Sequence, residues 1–132
     1  MTSGVSIVGS LLRAHTDLGQ IVPVTQIKAA ALPDNIPLPA ILVRTVSSVD
    51  RQPLKRSAKT RTVDRVAVTV RASSYREQCT VIGMIKDCCG GITGEIDGAE
   101  RVAILTAGTG PDVRGPGDSF EQTQDLRVSY DA

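Results

Sequence analysis

The sequence predicts an α+β fold, a mostly antiparallel or mixed β-sheet with two helices packed on one face and a long β-hairpin arm. Two segments repeat apolar residues at helical spacing, and others alternate apolar and polar residues as half-buried strands do. The order of these elements, α-β-β-β-α-β-β, is typical of a sheet with its helices on one side. At 132 residues, the whole chain (1–132) is expected to form one domain.

The first helix is predicted from about residue 4 to residue 15. Val5, Val8 and Leu12 recur at helical spacing, and Ser3 can cap the start. Residues 26–32 are compatible with a short edge strand. The three prolines of the next stretch, "PDNIPLP", predict an extended loop.

A long hairpin is predicted next. Residues 40–50 are rich in β-branched side chains, and residues 62–70 alternate valine with smaller or polar residues. The connecting stretch "RQPLKRSAKTR" (51–61) lacks the chemistry of a two-residue turn, so a long, mobile tip is expected.

The second helix has clear signals at both ends. Ser74 and Glu77 form a capping box, and Gly90 with Gly91 ends the helix. The predicted apolar stripe consists of Tyr75, Cys79, Ile82, Ile85 and Cys89.

Two strands complete the predicted sheet. Residues 101–107 are nearly all apolar, which favours a central position, and residues 120–130 alternate between an apolar and a polar side. A loop rich in glycine and proline, 108–119, connects them.

Composition argues against a small-molecule site. The chain has two tyrosines, one phenylalanine and no tryptophan, so a pocket lined by aromatic rings is hard to assemble. Three cysteines in one predicted helix suggest neither a disulfide framework nor a zinc site, and they fit a reducing compartment. We expect neither a signal peptide nor a membrane span.

No catalytic, cofactor-binding or metal-binding residue is predicted. His15 is the only histidine, and no nucleophile motif accompanies it. The loop 108–119 lacks the Lys-Ser/Thr pair of a phosphate-binding loop and leads into a strand. An enzymatic function is therefore not expected.

Charge concentrates in the hairpin tip. The chain has a net charge of +1, but residues 51–61 hold five of its fifteen basic residues and no acidic one. These five are Arg51, Lys55, Arg56, Lys59 and Arg61. Three interpretations remain open: a solvated tip, an arm that docks a protein, or a contact to DNA phosphates. The absence of aromatic residues argues against base stacking.

Nearly the whole chain resembles the tail-completion, or tail-terminator, proteins of long-tailed bacteriophages and gene transfer agents. The motifs that carry the resemblance are "LPAILVRTVSS", "RVAVTVRASSY" before the second helix, and "LTAGTGPD" before a final alternating strand.

The resemblance implies a structural role in the virion. Proteins of this family form a ring, typically of six subunits, at the head-proximal end of the tail tube. The ring stops tube polymerisation and presents a surface to the head–tail connector. Genomic DNA passes through the lumen without sequence-specific contact. Assembly takes place in the host cytoplasm, without a membrane, a cofactor or a reaction.

Within such a ring, we expect the 51–61 arm to run along the ring axis. Its bases would contact the tail tube or a neighbouring subunit and give registry. The loop is expected to contribute contacts through Thr109, Asp112 and Arg114. The alternative is a small nucleic-acid-binding module that uses the 51–61 arm.

Overall fold

The computed structural model describes residues 2–56 and 58–132. The helices in these residues are α1 (Gly4–Ala14), α2 (Thr16–Gly19) and α3 (Tyr75–Cys89), with two short 3-10 turns at Val24–Gln26 and Pro116–Asp118. The strands are β1 (Ile27–Ala29), β2 (Ala40–Arg51), β3 (Arg61–Ala72), β4 (Thr93–Ile96), β5 (Ala99–Thr109), β6 (Val113–Arg114) and β7 (Phe120–Asp131).

The described strands form one mixed sheet. Their order is β1-β2-β3-β7-β5-β4, and β6 pairs with the start of β7. The short β1 is parallel to β2, and the other pairings are antiparallel. The predicted α+β class with a mixed sheet is confirmed.

The centre of the sheet is the β3–β7 pair, which stays in register from Arg61↔Asp131 to Ala72↔Phe120. The prediction that residues 101–107 form a central strand is wrong. Among the described strands, only the four-residue β4 pairs with the outer side of β5, and Leu105 is 59% exposed. The apolar character of residues 101–107 therefore did not predict how long the strand paired with their outer side would be.

Helices α1 and α3 pack on the same face of the sheet. From α1, Ile7, Val8 and Leu12 are fully buried against the inward side chains of β2 and β3. Ser3 caps α1 as expected, and its partner in a reciprocal capping box is Ser6. The first helix and its start were thus predicted correctly.

Helix α3 buries a different stripe from the predicted one. Ile82, Ile85 and Cys89 are buried, but Tyr75 and Cys79 are exposed. The stripe instead includes Gln78, Val81 and Cys88. The side-chain amide of Gln78 donates to Asp112 and Gln122, and these hydrogen bonds allow a polar residue to be buried where an apolar one was expected.

The caps of α3 agree with the sequence in outline. The Ser74 hydroxyl accepts from the Glu77 amide at 3.1 Å, while the Glu77 carboxylate reaches Ser73, one residue before the expected position. Gly91 adopts the left-handed conformation, with φ of 78°, just after the helix.

The long hairpin of β2 and β3 is present and is built into the sheet. Because β3 also pairs with β7 along its whole length, the hairpin shares its inner strand with the core. The connection between the two strands contains Ser57, which lies outside the described residues, and the expected mobility of the tip stays a prediction. Among the described residues, no helix has the length and apolar character needed to span a membrane.

Candidate assembly surfaces

The five bases of the hairpin tip do not form one equivalent group. Lys59 makes an ion pair with Glu100. Arg61 donates to the carbonyl of Arg101 at 2.7 Å and pairs with Asp131 at 3.2 Å. These two bases therefore fasten the end of the tip to the strands beside it.

The other three tip bases, Arg51, Lys55 and Arg56, are exposed. Within residues 2–56 and 58–132, none of them makes an ion pair. They are therefore the part of the predicted arm that remains available to a partner.

The C-terminal residues hold the tip in place. Thr60 and Ala132 exchange two backbone hydrogen bonds, of 3.1 and 3.3 Å. Burial alone would raise the pKa of Asp131, but hydrogen bonds and charges from Arg101 and Arg61 outweigh it and lower that pKa below its usual value. The carboxylate of Asp131 thus stays ionised between two guanidinium groups.

The face of the sheet opposite the helices is open and carries charged rows. Three arginine–carboxylate pairs cross from β3 to β7: Arg61–Asp131, Arg65–Asp125 at 2.8 Å and Arg71–Glu121 at 2.6 Å. We call this surface the bare face. Its acidic side chains on β7 are therefore already neutralised by arginines of β3.

Two more arginines on the bare face, Arg44 and Arg127, make no ion pair within the described residues. Arg127 lies directly opposite Arg65 in the β3–β7 ladder. Like charges at this spacing destabilise a sheet unless a counter-charge is near. Asp125 supplies that charge for Arg65, and the bare face keeps a net positive charge.

Two shallow cavities lie on the bare face and share Arg65. The larger, of about 430 Å³, is lined by Arg44, Val46 and Asp125 among others, and the smaller, of about 210 Å³, lies beside Val49 and Arg127. Neither has an aromatic ring in its wall. Such a surface suits a broad, mixed apolar and charged contact better than an enclosed small molecule.

The predicted loop residues take part in contacts within the chain. Thr109 donates to the side chain of Gln124 at 2.6 Å, and Asp112 accepts from Gln78 at 2.8 Å. Arg114 lies over the ring of Phe120, 4.2 Å from its centroid. Their expected contacts with a neighbour stay a prediction, since the structure shows only how the loop is anchored.

Sequence reasoning missed the buried glutamines that anchor this loop. Gln78 and Gln124 are at most 1% exposed, and Gln122 and Gln124 donate to the carbonyls of Gly110 and Gly108. A signal was present, because Gln122 and Gln124 occupy positions of the 120–130 alternation that Leu126 and Val128 continue as inward residues. Amides at inward positions indicate a buried polar network.

The groups considered for chemistry have structural roles. The Nδ1 atom of His15 accepts from the Leu18 amide at 3.2 Å and so caps α2. Cys88 and Cys89 are buried, and the Cys88 thiol donates to the Leu11 carbonyl at 3.4 Å. Within the described part of the chain, no three His, Cys, Asp or Glu side chains are grouped so that they could hold a metal ion.

Comparisons with known proteins locate the fold. The sequence matches no protein-family model and no curated protein. Among solved structures, it is similar to a chain of a structure described as "Virion of native gene transfer agent (GTA) particle". The TM-score is 0.69 at 14% sequence identity, over 99% of this chain and 100% of that chain. At this identity the likeness shows a shared fold over the full length of both chains.

Proposed function

We propose that this protein is a structural component of a phage-like virion, and that it forms a ring, typically of six copies, on the head-proximal end of the tail tube. The ring terminates tube polymerisation and provides the interface to the head–tail connector. Genomic DNA passes through its lumen without sequence-specific contact.

The observation that carries the proposal is the full-length similarity to a chain of a gene transfer agent virion. The sequence motifs that resemble tail-terminator proteins support the same proposal and are the reason for choosing the head-proximal end of the tail. The surfaces described above are broad, charged and open rather than enclosed, which suits binding to other proteins in an assembly.

The tip bases Arg51, Lys55 and Arg56 are the residues that we assign to the tail tube or a neighbouring subunit. They are exposed at the end of the hairpin and have no ion pair of their own in the described residues. Lys59 and Arg61 already form ion pairs with Glu100 and Asp131 within the chain. Charges placed this way favour register and rate of association more than affinity.

Tube growth in the presence of the protein tests the proposed function. Purified tail-tube protein is polymerised with and without this chain, and tube length and tube ends are measured by electron microscopy. We expect shorter tubes with a ring at one end. Tubes of unchanged length and uncapped ends would contradict the proposal.

A charge-neutral variant tests the role of the tip. Replacing Arg51, Lys55 and Arg56 by glutamine is expected to leave a folded protein that no longer caps tubes. The matched control neutralises three exposed bases elsewhere, Lys28, Arg76 and Lys86. If both variants lose capping equally, net charge rather than the tip is responsible.

A second candidate function is a nucleic-acid-binding module, which the three unpaired tip bases favour. Contacts from three cations to phosphates would weaken DNA binding about 40-fold between 50 and 200 mM salt. A gel-shift titration at the two salt concentrations measures this effect. DNA binding that is lost in the glutamine variant of the tip, together with normal tubes, would favour this function over the ring.

A further inference from the structure

We propose that copies of this chain assemble by pairing opposite edges of their sheets, β2 of one copy against the β4–β5 edge of the next. The inference rests on the proposed ring and specifies which surfaces build it. Each copy then uses two different surfaces, as a closed ring with head-to-tail contacts requires.

The β2 edge is long and open. The parallel strand β1 covers only Ile41–Val43, and every residue from Arg44 to Arg51 is exposed. An exposed edge strand offers a row of free backbone donors and acceptors, which another strand can complete. A strand from another chain is therefore the occupant that this edge fits.

The ladder indicates which backbone groups are free. Thr60 exchanges its backbone hydrogen bonds with Ala132, so the even-numbered residues of β3 direct their backbone toward β7. The odd-numbered residues then bond to β2, through partners such as Val49. Between these partners, Ser48 and Asp50 direct their N–H groups outward to the open side.

The opposite edge is open at the same height. Among the described strands, β4 pairs with β5 alone, so the outer side of Thr93–Ile96 has no partner strand. Next to β4, Gly91 and Ile92 form backbone hydrogen bonds with Ile104, and Gly90 lies close to Thr106. Through the ladder, Arg51 lies in one row with Arg61, Asp131 and Glu100, beside the turn between β4 and β5. In the proposed ring the axis runs along the strands. Successive copies in a closed ring are not displaced along that axis, so residues at the same position along it meet across the seam.

Charges of opposite sign lie at this height on the two edges. The β2 end has Arg51, Lys55 and Arg56, while the β4 end has Glu95 and Asp97, all of them exposed. None of the five makes an ion pair within the described residues. Pairing of the two edges would bring these groups together across the seam.

Apolar side chains continue across the same seam. Val46 and Val49 are 54% and 60% exposed, and both border cavities of the bare face. Leu105, 59% exposed, lies in the row of Arg127, which is on that face. An edge-to-edge contact would bring the valines of one copy toward the leucine of the next, with the glycine backbone of residues 90–91 between them.

Charge reversal tests the pairing. The first variant carries Arg51→Glu and Lys55→Glu. The second carries Glu95→Lys and Asp97→Asn, with asparagine chosen because residue 97 has a φ of 52° that asparagine tolerates. Each variant alone is expected to lose the oligomer, measured by native mass spectrometry, because its two edges then have like charge.

An equimolar mixture of the two variants is expected to recover the oligomer with alternating copies, because both kinds of seam are complementary again. Arg76→Glu, on the exposed side of α3, is the matched control and should assemble as the unmodified chain does. A mixture that stays monomeric, or a first variant that assembles normally, would overturn the edge assignment.

Hydrogen exchange gives an independent readout of the backbone. In the oligomer, the peptide that spans 44–51 should lose its fast-exchanging amides, since Ser48 and Asp50 gain acceptors. A ring whose 44–51 peptide exchanges as in the monomer would refute strand pairing while leaving the ring itself intact. An unmodified chain that stays monomeric even with tail tubes present would overturn both the pairing and the proposed function.

Discussion

A buried carboxylate fastens the first helix to the sheet. Asp64 is 3% exposed and accepts from the Gly4 amide at 2.8 Å, from the Tyr130 hydroxyl at 2.9 Å and from Ser48. Gly4 is the first residue of α1, where free amides and the helix dipole favour a negative charge. Three donors offset the cost of burying this group, so α1 has a specific docking point on β3.

The close approach at Gly4 leads to a stability prediction. A Cβ atom at this position would lie 2.8 Å from Asp64 Cβ and from Val66 Cγ2. Gly4→Ala should therefore lower the free energy of unfolding by about 1–3 kcal/mol, measured by urea denaturation.

Gly83→Ala in the middle of α3 is the matched control for Gly4. Apart from the backbone of α3 itself and the chain neighbours, no atom of the described residues would lie within 4 Å of a Cβ there, so alanine should stabilise by about 0.5–1 kcal/mol through helix propensity. Equal effects of the two alanine substitutions would show that the contact with Asp64 is not close.

Tyr130 gives the protein a predictable alkaline transition. Burial, with the hydrogen bond to Asp64, raises the pKa of Tyr130 to about 12 from 10.0. Because the folded state favours the protonated phenol, its contribution is complete below about pH 10 and is lost as the pH rises toward about 12. The loss amounts to about 2–3 kcal/mol.

The comparison with Tyr130→Phe isolates this transition from the titration of lysines. The difference in unfolding free energy between the two proteins should shrink between about pH 10 and about pH 12. In a Tyr75→Phe background, Tyr130 is the only phenol in a chain without tryptophan, so near-ultraviolet absorbance reports its ionisation directly. Ionisation near pH 10 would contradict the buried contact with Asp64.

Among the helices and strands, the sequence predicted the bounds best for those whose apolar pattern repeats several times. The first helix, the long hairpin and the last strand have the expected bounds to within about two residues, because each repeats its pattern over two or more turns or pleats. Strand β4 was missed because four residues, "TGEI", contain one apolar side chain. Its signal was the Asp97–Gly98 dipeptide, with φ values of 52° and 82°, which suits a two-residue hairpin turn.

The errors in burial have a tertiary cause. The predicted stripe of α3 failed at Tyr75 and Cys79, because Gln78 finds partners in Asp112 and Gln122 and takes an inward position. These partners come from a loop and a strand more than thirty residues away. Helical periodicity depends only on residues that are close in sequence, so it cannot predict contacts between residues so far apart.

Anchoring of the 108–119 loop can be tested at Asp112. Asp112→Ala removes the nearer of the two acceptors of the buried Gln78 amide and the one that lies in the loop, so amide exchange of residues 108–119 should become faster while β3 stays protected. Hydrogen-exchange mass spectrometry on peptides of both regions measures the effect.

Asp118→Ala is the matched control in the same loop. Its side chain is fully exposed, and its ion pair with Arg114 is 3.8 Å long. Such a pair contributes little, so exchange of the loop should not change. A similar effect of both substitutions would mean that the network around Gln78 does not hold the loop.

At the scale of the whole molecule, the sequence predicted where the charged tip lies. It did not predict which of the tip bases form ion pairs within the chain. Five bases in eleven residues are visible without a structure. Only the fold brings Glu100 and Asp131 beside Lys59 and Arg61, since these acids lie forty or more residues further along the chain. The bare face and the two open edges likewise depend on strand order, which a single sequence does not encode locally.

Added salt is expected to weaken the association of copies while leaving the folded monomer unchanged. The three tip bases and the two acids of the β4 end are exposed and have no ion pair in the described residues, so attraction across the proposed seam is open to screening. The Debye length falls from about 10 Å at 0.1 M to about 3 Å at 1 M salt. The oligomer should dissociate over this range, as measured by sedimentation velocity, while the circular dichroism of the monomer stays constant because its core is apolar.

A variant with Arg51→Gln and Lys55→Gln is the control for this salt dependence. It should assemble more weakly at low salt, and its remaining association should respond less to added salt, because fewer charges are left to screen. Association that strengthens with salt in the unmodified chain would assign the seam to the apolar contacts of Val46, Val49 and Leu105 instead. Either result decides whether charge or apolar burial is the main attraction between copies.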